Sequence, residues 1–303
     1  MNLHKNQQLF QDIINEISFE KKISTGIIEK DYYVTYFLKE LLAIDKNFIF
    51  KGGTSLSKGF KIIERFSEDI DLNYPLELLT VGVKKKIKKE IVSTIKDLGC
   101  VLINEEEIRS RRTFNQYRID YNSLYKDKCL KPIVIVETAF QTESYPVEKV
   151  FIQSLIGEFL KEKGLDDVIR KYDLSSFLVN VQSKERTLID KIFAIGDYYL
   201  SSNLQEHSRH IYDIYQLINQ VYLNDSLVGL FVSVRKARKI NDFCYSAKDD
   251  IVLSKLLEEI IESRCFELDY NTNTVALCYN KIDYETAIES LKIIIDFLKQ
   301  NKM

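Results

Sequence analysis

Residues 51–73, KGGTSLSKGFKIIERFSEDIDLN, restrict the possible folds of this chain more than any other stretch. They begin where a short apolar run, Phe48-Ile49-Phe50, ends, pass through Gly52-Gly53-Thr54-Ser55, and close on Asp69-Ile70-Asp71-Leu72. Residues two apart on a strand share a face. Asp69 and Asp71 therefore lie side by side with Cα atoms roughly 6.5 Å apart, while Ile70 and Leu72 point into a core. Like charges held that close repel unless a cation lies between them, which suggests a divalent metal site. Two glycines in a nearby turn can offer bare backbone N–H groups to phosphate. Together these features suggest metal-dependent chemistry on a nucleoside triphosphate. The plain alternative is a tight Gly-Gly turn followed by two solvated acids at a strand edge. The turn is not a P-loop, because no GKS or GKT follows it.

Upstream, hydrophobic spacing predicts helices over 5–17 and 24–43, the second carrying EKDYYVTYFLKEL with Glu29-Lys30-Asp31 adding charge near its start. Phe48–Phe50 reads as a buried strand. Thr54 is placed to cap a helix from Ser55 to Arg65, and Ser67–Asn73 forms the next strand. A lysine-rich helix over 81–98 precedes strands at 100–103, 113–121 and 132–138. The last of these, PIVIVET, embeds one acid, Glu137, among β-branched residues. Burying it uncompensated is costly, and sharing a cation with Asp69 and Asp71 explains it better. Three carboxylates on adjacent strands form an all-oxygen site suited to Mg²⁺ or Mn²⁺.

Beyond Glu137 the pattern turns helical, over 150–163, 184–200, 206–222, 227–239, 249–265 and 284–299, with one short strand at 177–181. The expected class is α+β: a mixed sheet flanked by helices over 1–182, then a helical domain over 183–303 that completes the active-site cleft. In the helical part, Lys191 lies on an amphipathic helix, where a solvated lysine is a sufficient reading. An i,i+4 ion pair between Arg209 and Asp213 accounts for the next helix, and His210 reads as structural.

Composition bounds the partners. Lys plus Arg number 43 against 45 acids, a net charge of −2, so nothing global marks a nucleic-acid binder. Basic clusters at Lys84–Lys96, Arg109-Arg111-Arg112 and Arg235-Lys236-Arg238-Lys239 matter only if they line the acidic site. Five cysteines without a CxxC pair and three scattered histidines argue against zinc and for reduced buried thiols. With no signal core and no long apolar run, the chain is expected to be soluble and cytoplasmic, with no membrane partner.

Read together, Gly52-Gly53-Thr54-Ser55-Leu56, the block from Arg65 to Leu72, Lys191 and Arg209–Asp213 resemble the AbiEii/MenT nucleotidyltransferase-like toxins of the DNA polymerase β-like superfamily. The resemblance covers most of residues 27–217. It implies nucleotidyl transfer by two metals. Asp69 and Asp71 would hold the ions, with Glu137 as third carboxylate, and Gly52, Gly53, Thr54, Ser55 and Ser67 would line the nucleotide site. Lys191 would reach the phosphates, and Asp213 would complete the pocket. One departure leaves open whether Thr54 or Ser55 meets the phosphate. The acceptor implied is RNA, such as a tRNA 3′ end, and a cognate antitoxin is the implied partner. Two alternatives stay open: an inactive RNA- or partner-binding module, and transfer to a protein hydroxyl or a small molecule.

Overall fold

The computed structural model describes residues 2–125 and 130–303, so Cys129, one of the five expected thiols, lies outside the described residues. The chain folds as two compact units. One comprises Met1–Gly59, Ser67–Phe140 and Val147–Val181; the other comprises Phe60–Phe66, Gln141–Pro146 and Gln182–Met303.

The first unit is built on strands β1 (Ile49–Lys51), β2 (Ile70–Asn73), β3 (Val101–Leu102), β4 (Phe114–Asp120), β5 (Ile133–Ala139), β6 (Val147–Ile152) and β7 (Phe177–Gln182). They form a seven-stranded mixed sheet in the order β3-β4-β5-β2-β1-β7-β6. β2 pairs antiparallel with β1 and parallel with β5, so the acidic strand is interior. Period-two alternation then separates the faces. Phe50, Ile70, Leu72, Val134, Val136, Tyr117 and Ile119 are buried, each aliphatic or aromatic side chain contributing roughly 1.5–3 kcal/mol. The opposite face carries Lys51, Asp71, Glu137 and Gln116, which are aligned by register across β1, β2, β5 and β4.

Helices α1 (Gln7–Lys21), α2 (Thr25–Ile44), α3 (Gly52–Ser55) and α4 (Val81–Asp97) complete the first half of this unit. Ser24 caps α2 by accepting from the Ile27 N–H. Buried α2 touches α1, α4 and β5. Two expectations are corrected here. The stretch predicted as a helix over 150–163 is first strand β6, and only then α5 (Leu155–Glu162). Val147, Val150 and Ile152 favour the pleated form, and Ser154 starts the helix by accepting from Gly157 N at 3.0 Å. The helix predicted to Arg65 ends at Phe60, where a π-turn over Leu56–Phe60 gives way to Lys61 at φ 55°. A short helix, α6 (Asp166–Lys171), was not anticipated.

The second unit is helical: α7 (Lys184–Leu200), α8 (Arg209–Ile218), α9 (Asp225–Lys239), α10 (Leu253–Ser263) and a final helix Tyr284–Gln300. α8 packs against both α7 and the final helix, burying Ile211, Tyr212, Ile214 and Leu217. α8 is shorter than the 206–222 pattern suggested, since Asp269 holds the N–H groups of Glu206 and Ser208 outside it. Among the described residues no helix is long and apolar enough to cross a membrane. Cys100, Cys244, Cys265 and Cys278 are free thiols, but only Cys244 is buried.

Candidate active site

The glycine turn and the acidic strand meet at one point. Gly52 has φ +78°, and a Cβ added there would lie 1.9 Å from Asp71 Oδ2. Glycine is therefore required twice, once for the backbone conformation and once for the carboxyl group resting against it. The turn begins a helix rather than preceding one, which corrects the expected Thr54 cap. Lys51 occupies the N-cap without a side-chain bond, and Thr54 lies inside the first turn. Thr54 Oγ1 and Ser67 Oγ are 2.9 Å apart, and Ser55 Oγ donates to Gly52 O at 2.8 Å. Both Thr54 and Ser55 are buried, so their hydroxyls fasten the turn to itself and to Ser67.

Asp71 and Glu137 are direct register partners on parallel β2 and β5. Burial first, then the Glu137 charge, push the Asp71 carboxyl well above its ordinary range. Asp69 and a hydrogen bond with Glu137 add to this, and only Lys51 opposes it. Asp69 lies immediately before β2, not within the strand as expected. Among the described residues no three His, Cys, Asp or Glu side chains converge as a ready ligand set. What converges is the Asp71–Glu137 pair, with Asp69 acting on it by charge. The fit to a hard divalent cation rests on that donor set: two adjacent carboxylates with Lys51 as the one cation named against the Asp71 shift, which a metal ion would satisfy in place of a shared proton.

Residues that the sequence reading took only as adding charge near the start of α2 turn out to hold this region. Glu29 and Lys30 are buried, and each residue of the EKD triplet fastens a different segment. Glu29 accepts from Ser123 Oγ at 2.6 Å and from Leu124 N at 2.8 Å. Lys30 donates to Glu68, the neighbour of Asp69, and to Lys131 O at 2.7 Å. Asp31 pairs with Lys58, just beyond the glycine turn, and accepts from Leu155 N at 2.7 Å. Burial raises the Glu29 pKa and lowers that of Lys30, the hydrogen bonds and the Glu68 charge opposing these shifts only in part. The signal available in sequence was three consecutive charges inside an apolar helix.

In the second unit the structure joins Lys191 and Asp213 to Arg65. Arg65 donates to both Asp213 oxygens at 2.7 Å, and Lys191 Nζ lies 2.5 Å from Oδ2. All three are buried, so Lys191 is not the solvated residue of the plain reading, and Asp213 meets these two cations rather than Arg209. Burial would raise the Asp213 pKa, but the charges of Arg65 and Lys191 overcome it and hold the carboxyl far below its ordinary range. His210, half-buried, sits 3.4 Å from Lys191 with its pKa lowered by desolvation and by that cation. The basic cluster of α9 is largely consumed internally. Arg238 pairs with Asp190 and Asp197, Arg235 donates to the Ala247 and Lys248 carbonyls, and Lys239 pairs with Asp249. Lys84, Lys85 and Lys89 of α4 and Arg111, by contrast, have no ion pair among the described residues, and Lys85, Lys89 and Arg111 are exposed.

Among solved structures, MenT4, a nucleotidyltransferase toxin from Mycobacterium tuberculosis H37Rv, matches with a TM-score of 0.48 and 15% identity, over 90% of this chain and 85% of that one. No curated protein matches. The family described as "Nucleotidyl transferase AbiEii toxin, Type IV TA system" matches residues 36–283, a span that includes the glycine turn, Asp69, Asp71, Glu137, Lys191 and Asp213. The chain belongs to the AbiEii nucleotidyltransferase toxin family.

Proposed function

We propose that this toxin is a divalent-metal-dependent enzyme that transfers NMP from an NTP to an RNA acceptor, such as a tRNA 3′ end, and that a cognate antitoxin restrains it. The observation that carries the reading is the Asp71–Glu137 pair at the Gly52 turn, with Asp69 beside it. These three carboxylates would hold Mg²⁺ or Mn²⁺. The chemistry such an ion supplies is activation of the attacking hydroxyl and stabilisation of charge on the transferred phosphoryl group and on pyrophosphate.

The chain's own residues prepare the ground for that chemistry. Gly52 lets Asp71 approach the turn, and the Thr54–Ser67 hydroxyl link fixes the turn relative to the start of β2. The backbone N–H groups of the Gly52–Ser55 turn are the candidates for phosphate contact, with both hydroxyls already engaged. Lys191 is the candidate cation for the nucleotide, and Asp213 acts on it as a buried counterion that fixes its position.

Incubating the purified protein with each labelled NTP, Mg²⁺ and total RNA tests the reading. Label is expected in RNA from the wild-type protein and not from Asp71→Asn. Label on protein instead would favour a protein hydroxyl as acceptor. Labelling that persists in an Asp69→Asn/Asp71→Asn double variant would sink the mechanism.

A further inference from the structure

The polar row on the open face of the sheet does not stop at the carboxylates. Gln116 of β4 is the register partner of Glu137, and its Nε2 donates to Glu137 Oε1 at 2.8 Å. Arg118, two residues along the same face, donates from Nε to Gln116 Oε1 at 2.8 Å. A guanidinium has only donors, so it admits the Gln116 amide in one sense alone, with the oxygen toward Arg118 and the NH₂ toward Glu137. The reversed amide would set an oxygen against a carboxylate and an NH₂ against a cation. The backbone beneath is pinned as well. Buried Asn104 donates to Gln116 O at 3.0 Å and accepts from Arg118 N at 3.0 Å.

We propose that Gln116 is a positioning residue for the metal-holding carboxylates, with Arg118 setting the sense of its amide. Its hydrogen bond occupies one oxygen of Glu137 and turns the other toward Asp71. It supports an anionic carboxylate without adding charge to a site that already holds three acids. Outer partners of ligating carboxylates are typically worth 10–100-fold in metal affinity or activity. The inference rests on the reading that Glu137 helps hold the ion.

The test is Mn²⁺ binding to the whole protein, measured by titration calorimetry on wild type, Glu137→Gln, Gln116→Met and Arg118→Met. Gln116→Met keeps the side-chain length without the donor. It is expected to weaken Mn²⁺ binding 10–100-fold and to lower kcat with little change in KM for the NTP, its melting temperature staying near that of wild type. Arg118→Met, on an exposed residue, is expected to weaken binding several-fold. If Glu137→Gln weakens binding while Gln116→Met and Arg118→Met bind as wild type does, the positioning role is overturned. If Glu137→Gln itself binds Mn²⁺ unchanged, the reading of Glu137 fails and takes this inference with it.

Discussion

Two charge clusters in this protein, one buried and one half-buried on the open face of the sheet, have opposite electrostatics. In Arg65–Asp213–Lys191 every charge meets its opposite: the carboxylate takes both cations, and its pKa falls. In Asp71–Glu137 like meets like, with Asp69 adding a third acid, and the Asp71 pKa rises. The first cluster is complete in the folded chain and fixes a lysine in place. The second is compensated by the fold only in part, through Lys51 and the Gln116 amide, and a site where like charges stay close is one that a cation would relieve. Charge complementarity and burial thus separate framework from workplace together: the matched cluster is buried, and the like-charged one stands half-buried on the open face.

Breaking the complete cluster has the largest expected effect. Asp213→Ala leaves Arg65 and Lys191 buried without a counterion and is expected to cost about 3–5 kcal/mol, read by urea denaturation. A loss below about 1 kcal/mol would mean that the two cations reach solvent. Gly52→Ala attacks the other cluster through its neighbour. The added Cβ meets Asp71 Oδ2 at a positive φ, so a destabilisation on the order of 2 kcal/mol is expected together with lost activity.

Asp71→Asn sharpens the contrast because its sign is reversed. Removing one of two like charges is expected to raise the stability of the metal-free protein at neutral pH, by on the order of 1 kcal/mol, while abolishing transfer. A fall in melting temperature in metal-free buffer would contradict the frustrated reading of the pair.

The smallest effect is in acid. A carboxyl whose folded pKa is depressed stabilises the fold above its unfolded value, about pH 4, and that contribution is lost as pH falls through the folded value. Lys191→Met removes one of the two cations that depress Asp213. Its unfolding free energy is therefore expected to fall less steeply than that of wild type between about pH 4 and pH 2. Parallel acid limbs would assign the depression to Arg65 alone.

Much of this fold is legible in local pattern. α7 lies where apolar spacing put it, at Lys184–Leu200, and PIVIVET announces β5 by composition. The interior position of the acidic strand follows from apolar neighbours on both sides of Asp71. What local pattern does not carry is pairing across the sequence. Arg65 and Asp213 are 148 residues apart, and Lys30 reaches a carbonyl 101 residues on, so nothing near either residue reveals that its charge is buried and matched. The strand expected over Ser67–Asn73 begins only at Ile70 for the same reason. Glu68 is held back by Lys30 and Ser67 by Thr54, and only Ile70–Asn73 joins the ladder. At Val147–Ile152 the miss was local: an apolar run of that length fits helix or strand until Ser154 is recognised as the start of the helix.

The EKD triplet has a consequence for how this gene can change. Successive residues of a helix point about 100° apart, so Glu29, Lys30 and Asp31 radiate in three directions, each into the only slot that suits its charge. Inserting one residue earlier in α2 would rotate the set by one position. That would offer a carboxylate where Lys30 now meets Glu68, and a lysine where Asp31 now meets Lys58. The helix works as a keyed shaft: a one-residue slip along it misplaces every tether at once.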